Sequence, residues 1–515
     1  MEFTGSNFLR LRLALSMISG KAITIKNIRK KRKNRKLGRS DDKVIDEKEG
    51  LREYEAKLLR LIDKLCDDTT IRINEDGDEL YFKPGFLIGN VSDEIRISDL
   101  HNTFHCGKER SITYFIEFLL MIIPFFKYPV KLLLKGITDD SIDSTVYTCK
   151  TVSENFFKNV LKLDDNFLNI TILKRGIKSD CSGEVLFFMN NLKTIEPFDI
   201  NEAGLVKKIT GTIVSHQISV VFRNKLMNIA KKNLHNFTPH VNIQVENSNI
   251  KNSNLKNHFI SLSLFAHTKN KCIYATDMCI DEFYFKHAKD SLTFIKLDNI
   301  SNGLPKADVA HIGGELGTWE ESMEKNQNGD ENDGDDDDEE DDDDDDENDG
   351  DDDEDDDDEE EEGDDNDDES DDVSNKPRTK QQRNMIPKSD TNSSARKKCI
   401  IQKCEYNNTL HDADIYERLG FFISLKMINE IKGLPSVDTK YQWLPLLYMA
   451  LGNDIAVSKI SLRIIKPYSV ALIRLLRDFF SVVFDVKKVE KSPIDYSYLI
   501  KCVGIGYRNI SKKTF

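Results

Sequence analysis

The sequence predicts an α+β fold in which a helix-plus-sheet unit recurs, with a small inserted α/β domain and a disordered acidic insertion. Three observations lead to this prediction. An amphipathic helix pattern followed by two strand patterns occurs three times along the chain. A block with a different order of elements, beginning near residue 201, separates the second occurrence from the third, and a long acidic tract follows that block.

The first occurrence begins with "LREYEAKLLRLIDKL", residues 51–65, which places its apolar residues on one helical face. The stretch "TIRINEDGDELYFKP" follows, in which apolar residues alternate on both sides of Asp76-Gly77. Because Asp-Gly is a favoured two-residue turn, this pattern predicts a β-hairpin. The second occurrence reads "SENFFKNVLKL", "NITILKR" and "GEVLFFM", and the third reads "SVALIRLLRDFF", "SVVFDVKKV" and "YLIKCVGIGY".

A long apolar run, "YFIEFLLMIIPFFKYPVKLLL", is interrupted by Glu117, Pro124, Lys127 and Pro129. A membrane-spanning helix needs about 20 predominantly apolar residues without such breaks, so the run predicts no membrane segment. It predicts instead a buried helix up to residue 123, a turn, and a core strand over residues 130–134. The aromatic residues of this run are expected in the core rather than on a base-stacking surface; they are Phe115, Phe118, Phe125 and Phe126.

The block from residue 201 reads as strand "TGTIVSHQI", helix "VVFRNKLMNIAKKNLHNF", and strands "HVNIQVE", "HFISLSLFAH" and "CIYATDM". The predicted domain organisation is therefore a body with its first two units at 1–200, including a basic insertion at 30–49; an inserted domain at 201–325; a low-complexity insertion at 326–398; and the third unit at 399–515.

Charge is distributed very unevenly along the chain. The formal net charge is −17, but residues 330–372 contribute −36 and contain no Lys or Arg, so the remainder carries +19. Self-repulsion and the lack of apolar residues predict that this tract is disordered. It can act as a polyanion that holds basic proteins, as a shield for the basic body, or as a tolerated surface insertion. The basic remainder indicates a polyanionic partner.

A second charged segment lies near the N-terminus, where eight of the eleven residues from Arg29 to Arg39 are basic. This cluster fits a nuclear-import signal, a phosphate-binding arm or a solvated surface loop. Besides Arg29, its members are Lys30, Lys31, Arg32, Lys33, Arg35, Lys36 and Arg39.

The nine cysteines lack the density of a disulfide scaffold and predict reduced thiols in an intracellular protein. The pairs Cys272/Cys279 and Cys399/Cys404 have no partner pair at metal-ligand spacing, and no metal site is expected. Likewise His101, His105 and Cys106 are expected in a polar loop rather than in a metal site.

Five segments together resemble the RNA 3'-terminal phosphate cyclase superfamily, specifically its eukaryotic cyclase-like branch. They are "LRLRLALSMISGKAITIKNIR", "GLREYEAKLLRLIDKL", "LYFKPGFLIGN", "LLYMALG" and "CVGIGYRNISK". The resemblance implies three repeated units, each with helices packed on a four-stranded sheet, and an inserted smaller domain.

The same resemblance implies an altered nucleotide site. True cyclases carry a nucleophilic His, which accepts AMP from ATP, at the position of Lys440 in "VDTKYQWLPLLYMALG". A Lys amine is protonated near pH 7 unless its surroundings lower its pKa. The Glu-Gly-Gly-Gly-Gln stretch of cyclases corresponds to residues 3–7, "FTGSN", and their Gln-His pair corresponds to Tyr54-Glu55. Candidate phosphate or RNA contacts are Arg10, Arg29, Arg52 and Lys440.

Three interpretations of Lys440 therefore stand side by side: a turn or surface lysine beside a buried helix, a phosphate contact, or an adenylylated lysine. The resemblance favours a non-catalytic assembly factor of the small-subunit processome, without cofactor or membrane. It would act in early pre-rRNA processing and 18S rRNA maturation in the nucleus and nucleolus. The implied partners are a large nucleolar GTPase and a pre-ribosomal particle with U3 small nucleolar RNA and pre-rRNA, which the chain would join as a monomer within a complex.

Two enzymatic alternatives remain at the level of sequence. One is a pre-rRNA endonuclease that uses clustered carboxylates, for which Asp412, Asp414 and Glu417 are candidates. Acidic residues at a helix start are also explained by capping and the helix dipole. The other alternative is an ATP-dependent RNA 3'-phosphate cyclase.

Overall fold

The computed structural model describes residues 1–30, 49–89, 102–247, 258–280, 415–492 and 495–512. This part of the chain contains eight α-helices: α1 Leu9–Ser19, α2 Glu53–Leu65, α3 Ile112–Ile122, α4 Val146–Asn155, α5 Val220–His235, α6 Ile415–Ile431, α7 Trp443–Leu451 and α8 Pro467–Phe480. Its first eleven strands are β1 Glu2–Thr4, β2 Ile23–Lys26, β3 Cys66–Asp67, β4 Thr70–Ile73, β5 Leu80–Lys83, β6 Phe86–Leu87, β7 Thr103–His105, β8 Val130–Gly136, β9 Leu168–Lys174, β10 Gly183–Met189 and β11 Asp199–Ile200. The remaining strands are β12 Val206–His216, β13 Val241–Asn247, β14 Phe259–Thr268, β15 Ile273–Ile280, β16 Val457–Leu462, β17 Phe484–Ser492 and β18 Asp495–Val503.

Three of the four-stranded sheets share one connection pattern. In the first, with order β1-β2-β5-β4, a parallel pair is linked through α1, and α2 leads into the antiparallel hairpin β4–β5. The second sheet, β7-β8-β10-β9, has the same pairings: α3 links its parallel pair β7 and β8, and α4 leads into its antiparallel hairpin β9–β10. In the third sheet, β11-β16-β18-β17, α7 leads into β16 of the parallel pair β11–β16, and α8 leads into the antiparallel hairpin β17–β18. The fold is thus a mixed α/β arrangement of four-stranded mixed sheets.

A fourth sheet, with order β13-β12-β14-β15, lies between β11 and β16 in the chain. Here β12 and β13 are parallel and linked through α5, and β14 and β15 add antiparallel strands. Its elements are those predicted from residue 201 onward. We call this sheet with α5 and α6 the inserted domain. The other three four-stranded sheets with their helices, together with the two-stranded sheet β3-β6, form the body.

Two apolar cores hold these parts. The body core contains the buried faces of α1, α2, α3, α7 and α8 and of the three body sheets. The core of the inserted domain contains residues of its own sheet, of α5 and of α6. Residues 399–515 are predicted to belong to the third unit, yet α6 packs on α5, and Gly420 lets the two helices approach because a Cβ there would meet the carbonyl oxygen of Leu226.

Local patterns account well for several elements. The helix α3 begins at the N-cap Ser111, ends before Pro124, and buries every residue but Glu117, as expected for an apolar run broken by proline. The predicted hairpin turn at Asp76-Gly77 is confirmed, and Gly77 has a φ of 70°, which glycine adopts without strain. The four aromatic residues predicted for the core are buried as expected.

One local prediction is wrong. His105 and Cys106 are expected in a polar loop, but Thr103–His105 forms the strand β7, which pairs in parallel with β8, and Cys106 is buried. Pairing with a distant strand stabilises this short segment, and its sequence carries no alternation that would reveal it. Over the part of the chain that the structure describes, no helix has the length and apolar character needed to cross a membrane.

Candidate functional site

Lys440 lies in a turn that leads directly into α7. The carboxylate of Asp438 accepts hydrogen bonds from the backbone N–H groups of Lys440 and Tyr441, at 2.9 and 2.8 Å. This is an Asx-type turn, which holds the backbone without regular secondary structure. All nine residues of α7 are buried, as predicted for the helix from residue 444 to residue 451. The turn is therefore held by the Asp438 hydrogen bonds and, at its C-terminal end, by the buried helix α7.

The Lys440 side chain forms an ion pair with Asp277, which lies on β15 of the inserted domain. The lysine side chain is 35% exposed and the aspartate side chain 3%. The second carboxylate oxygen of Asp277 accepts the backbone N–H of Thr145, the N-cap of α4, at 2.8 Å. Asp277 thus connects the inserted domain to the turn before α7 and to the start of α4.

This ion pair shifts the pKa values of both groups. Burial alone would lower the pKa of Lys440, but the negative charges of Asp277, Glu117 and Asp438 outweigh it, and the pKa is raised. Burial acts to raise the pKa of Asp277, but the Lys440 ammonium group outweighs it, and that pKa is lowered. The ion pair with Asp277 therefore favours the protonated form of Lys440. A protonated amine has no free electron pair, so it cannot attack a phosphorus atom.

Arg10 of α1 pairs with a carboxylate near the same turn. Its guanidinium group lies 2.7 Å from Glu117 of α3, and the two side chains are 14% and 13% exposed. It also donates to the carbonyl oxygen of Tyr114 at 3.0 Å and lies 4.7 Å from the centre of that ring. Burial raises the pKa of Glu117, and the charge of Arg10 opposes this.

A second arginine of the same region, Arg110, approaches the same tyrosine ring. Its guanidinium carbon lies 4.6 Å from the centre of Tyr114, and it makes two hydrogen bonds to Asp143, at 2.6 and 2.9 Å. The ring of Tyr54, at the start of α2, meets Tyr114 edge-on at 5.2 Å. The starts of α2 and α3 are thereby linked.

Arg29 and Arg52 lie at the N-terminus of α2. Arg29 makes two hydrogen bonds to Glu55, at 2.8 and 2.7 Å, and the Glu55 side chain is fully buried. Glu55 also accepts the backbone N–H of Arg52, the N-cap of the helix, at 2.8 Å. A carboxylate at this position caps orphan N–H groups and suits the helix dipole. In the described structure Arg29 therefore anchors α2.

The segment that corresponds to the glycine-rich stretch of cyclases is also tied into the body. The ring of Phe3 stacks on Phe479 of α8 with centres 6.0 Å apart, and the Arg12 guanidinium lies 4.8 Å from the Phe3 ring. Arg12 also donates to the carbonyl oxygen of Gly5 at 2.7 Å. These contacts are those of a packed strand.

Further polar contacts join the inserted domain to the body. The hydroxyl groups of Thr145 and Thr148 lie 3.0 and 3.2 Å from that of Ser263 on β14. Arg175 pairs with Asp139 of the body at 3.1 Å and with Glu246 of β13 at 2.7 Å. Charged and hydroxyl groups thus contribute to this interface, beside apolar contacts such as that of the Phe265 ring with the ring of Tyr147, whose centres are 5.4 Å apart.

A buried carboxylate without a full set of partners stands beside Lys440. One oxygen of Asp438 accepts the two backbone N–H groups of the turn, and the other has no hydrogen-bond partner among the described residues. Burial, reinforced by the charge of Glu430, raises the pKa of Asp438 to about 7. This group changes its charge near neutral pH.

Several predicted residues lie apart from this region or outside the described residues. Glu417 is in the first turn of α6, Cys272 is buried and Cys279 half-buried on β15, and Lys30 pairs with Asp78 at 2.9 Å. The described ranges contain no group of three or more His, Cys, Asp or Glu residues that could hold a metal ion. Outside the described residues lie His101, Cys399, Cys404, Asp412, Asp414, the acidic tract 330–372, and Lys31, Arg32, Lys33, Arg35, Lys36 and Arg39.

The sequence points to Arg10 and Lys440 as candidate contacts but does not pair them with Glu117 or Asp277. For Glu117 a signal exists, because a lone acidic residue inside an apolar helix needs a charged partner. For Asp277 no local signal exists, since it is 163 residues from Lys440 in the chain. The roles of Arg10, Arg29, Arg52 and Lys440 as phosphate or RNA contacts stay predictions.

Comparison with known proteins identifies the family. A family model described as RNA 3'-terminal phosphate cyclase matches residues 1–486. A mouse "RNA 3'-terminal phosphate cyclase-like protein" is 32% identical over 270 residues, which cover 52% of this chain and 65% of the mouse protein. The alignments with the mouse protein and its human counterpart thus span less than two thirds of those relatives' own length.

Two further relatives extend this comparison. A Dictyostelium discoideum "Probable RNA 3'-terminal phosphate cyclase-like protein" is 26% identical over 515 residues and the full length of both chains. A Schizosaccharomyces pombe protein called "rRNA processing protein rcl1" is 29% identical over 280 residues, which cover 54% of this chain and 70% of that protein. The family model, together with the topology and the altered site described above, leads to one conclusion: this chain belongs to the RNA 3'-terminal phosphate cyclase family.

Proposed function

We propose that this protein is a non-catalytic assembly factor of the small-subunit processome, required for early pre-rRNA processing and for maturation of 18S rRNA and the 40S subunit. A role in rRNA processing is supported by the relative named for that process and by the cyclase-like names of the other relatives. The processome stage and the absence of catalysis are our inference.

One observation carries the non-catalytic part of the proposal. The position that corresponds to the nucleophilic His of cyclases holds Lys440, and the Lys440 ammonium group is bound to the buried carboxylate of Asp277. A nucleophile at this position needs an unprotonated nitrogen. The ion pair favours the protonated form, which opposes adenylylation.

The proposed partners are a large nucleolar GTPase and a pre-ribosomal particle with U3 small nucleolar RNA and pre-rRNA, in the nucleus and nucleolus. The charge of +19 outside the acidic tract supports residence in an RNA-rich particle. Within the basic cluster, the Lys30 side chain pairs with Asp78 but is 57% exposed, whereas the Arg29 side chain is 13% exposed and pairs with the fully buried Glu55. We therefore assign RNA contact to Lys30 and the basic residues after it, and an anchoring role to Arg29.

We further propose that the three body sheets descend from one repeated unit. The support is their shared order of parallel pair, helix and antiparallel hairpin.

The pre-rRNA endonuclease and the ATP-dependent cyclase remain the alternative functions.

The test is replacement of the endogenous protein by variants at residue 440 in cells, followed by measurement of 18S rRNA precursors. Lys440→Arg keeps a positive charge for Asp277 but removes the primary amine that could carry AMP. We expect wild-type precursor levels with Lys440→Arg. Accumulation of precursors, despite normal abundance of this variant, would contradict a non-catalytic role.

Partner assignment needs a separate measurement. The tagged wild-type protein is recovered with and without RNase, and its bound proteins and RNAs are identified. We expect the GTPase in both samples and U3 RNA with 18S precursors only without RNase. Recovery of neither would contradict the assembly proposal. Cleavage of a pre-rRNA fragment by the purified protein, lost with Asp414→Ala, would favour the endonuclease instead.

A further inference from the structure

The helix α5 of the inserted domain lies in a stretch whose formal charges are all positive. Residues 203–245 contain six Lys or Arg and no Asp or Glu, in a chain whose formal net charge is −17. Cations are favourable near the C-terminus of a helix and unfavourable near its N-terminus. The helix dipole thus accounts for Lys232 and His235 in the last turn of α5, but not for Arg223 and Lys225 in its first half.

The cations of α5 include a row that faces away from the core of the inserted domain. Leu226, Ala230 and Leu234 are fully buried in that core. Residues three or four positions apart share a helix face, so a second row lies on the opposite side. Its members are exposed, except for one that is partly exposed; they are Val221, Lys225, Asn228, Lys232 and His235, of which Lys225 is the partly exposed one. Burial of the first row therefore holds the second row toward solvent.

A stack of two aromatic rings lies at the N-terminal end of this basic row. The ring of Phe222 lies on that of Tyr416 of α6, with centres 4.8 Å apart and planes inclined by 11°. Tyr416 is 8% exposed, whereas Phe222 is 40% exposed. The Nζ atom of Lys225 lies 6.0 Å from the centre of the Phe222 ring. The stack thus presents one partly exposed ring beside a cation.

We infer that α5 binds single-stranded RNA, with a base stacked on Phe222 and phosphate groups bound by Lys225 and Lys232. Proteins that bind single strands combine aromatic rings, on which bases stack, with a positive surface that follows the backbone. The inference rests on the proposed function and deepens it, because it names a surface of the inserted domain that would contact pre-rRNA.

The aromatic stack distinguishes this ligand from other polyanions. In an RNA duplex the bases stack on one another, and side chains cannot enter the deep, narrow major groove. An acidic peptide would neutralise the lysines but has no base that could extend the stack of Phe222 on Tyr416. An unpaired base can lie on the partly exposed ring and remove its apolar surface from water.

The test is titration of a fluorescently labelled oligouridylate with the full-length protein, followed by anisotropy at several sodium chloride concentrations. The double variant Lys225→Gln and Lys232→Gln should bind at least about tenfold more weakly at low salt, since two charge-assisted contacts are lost. The slope of log affinity against log salt concentration should also become shallower by about 1.4, because each phosphate contact to a single strand contributes about 0.7.

Phe222 provides a second, independent readout. Phe222→Leu should weaken binding about fivefold through the loss of base stacking, with no change in the salt slope. Phe222→Trp should retain the wild-type affinity, because an indole ring also stacks on a base. Urea unfolding shows whether each variant is folded.

A matched control is the double variant Lys269→Gln and Lys271→Gln. These two lysines are exposed in the turn between β14 and β15 of the same domain, outside the basic row of α5. Their removal takes away the same number of charges. The affinity should stay within about twofold of wild type, because salt screens charges that do not contact the strand.

Equal losses in the control and in the lysine variants of α5 would overturn the inference, and so would folded α5 variants with wild-type affinity. Tighter binding of an oligoaspartate than of the oligouridylate would also overturn it, since an acidic peptide would then be the ligand. These outcomes leave the proposed function intact. Its own failure would appear separately, as tagged wild type that recovers neither U3 RNA nor 18S precursors from cells.

Discussion

The helix α7 and the turn just before it are neighbours in sequence but are stabilised by different interactions: apolar burial in the helix, and hydrogen bonds with an ion pair in the turn. All nine residues of α7 are buried, and they belong to the apolar core of the body. The turn, residues 436–442, is held by Asp438 and by the ion pair of Lys440 with Asp277. Apolar burial contributes stability without direction, whereas charged and hydrogen-bonded groups specify a particular partner. The helix thus supplies stability, and the turn contributes one specific contact between the body and the inserted domain.

The largest loss of stability is expected for a substitution in α7. Leu446 of α7 is fully buried, so Leu446→Ala should lower the free energy of unfolding by about 3 kcal/mol through lost burial and a cavity. Urea unfolding followed by the fluorescence of Trp443 measures this, in a background with Trp319→Phe. Ile455→Ala is the control: Ile455 is 87% exposed, and its truncation should change stability by less than about 0.5 kcal/mol. Equal effects of the two substitutions would contradict the assignment of α7 to the core.

A buried ion pair at α2 gives the next largest effect. Glu55→Gln removes the charge that pairs with Arg29 and weakens the cap of α2. We expect a loss of about 2–3 kcal/mol, because a buried cation then lacks its partner. The surface substitution Glu184→Gln is the control, since Glu184 pairs with Lys135 at 34% and 33% exposure. That variant should lose less than about 1 kcal/mol by urea unfolding, and a larger loss would contradict the role of burial.

Asp438, in the turn before α7, is expected to make the free energy of unfolding depend on pH. The pKa of Asp438 is about 7 in the folded chain and lower in the unfolded chain, so the folded chain holds this proton more tightly. Its contribution to stability is therefore fully present below the unfolded pKa and is lost as the pH rises toward 7. Between pH 5.5 and pH 8, wild type should lose about 2 kcal/mol more than Asp438→Asn does. Urea unfolding at several pH values measures the difference between the two proteins. Parallel pH profiles would show that Asp438 does not titrate in this range.

The smallest effect is expected for the cross-domain ion pair itself. Lys440→Met leaves Asp277 with the Thr145 N–H as a partner, and solvent screens the partly exposed lysine. We expect a loss of about 1 kcal/mol at pH 7. Hydrogen exchange should at the same time increase at the amides of β15 and of the turn, while the amides of α7 stay protected. A uniform increase over all three segments would contradict a local role for this pair.

Much of the fold can be predicted because its determinants are local. The apolar run ended by Pro124 predicts α3, and alternation around Asp76-Gly77 predicts the first hairpin. The strand β7 escapes prediction because its three residues are stabilised by pairing with β8, not by their own pattern. The helix α4 begins at Val146, earlier than the pattern at 153–163 indicates, because the β-branched and polar residues at its start hide its periodicity.

The sequence predicts the cations of the candidate site but not the carboxylates that pair with them. The resemblance leads to Lys440 and Arg10, and neutralising partners for buried cations are expected on physical grounds. Which carboxylates supply them depends on the three-dimensional fold: Glu117 lies 107 residues from Arg10, and Asp277 lies in a different domain from Lys440. Sequence patterns of a few residues carry no information over such separations.

The most direct test of the central claim is incubation of the purified full-length protein with ATP labelled at the α-phosphate. Label retained on the denatured protein is then measured between pH 7 and pH 9, with Lys440→Arg as the control. Because Asp277 favours the protonated form of Lys440, we predict no label above that of Lys440→Arg at any of these pH values. Label that maps to Lys440 and disappears in Lys440→Arg would contradict the account and identify an RNA-end enzyme with a lysine nucleophile.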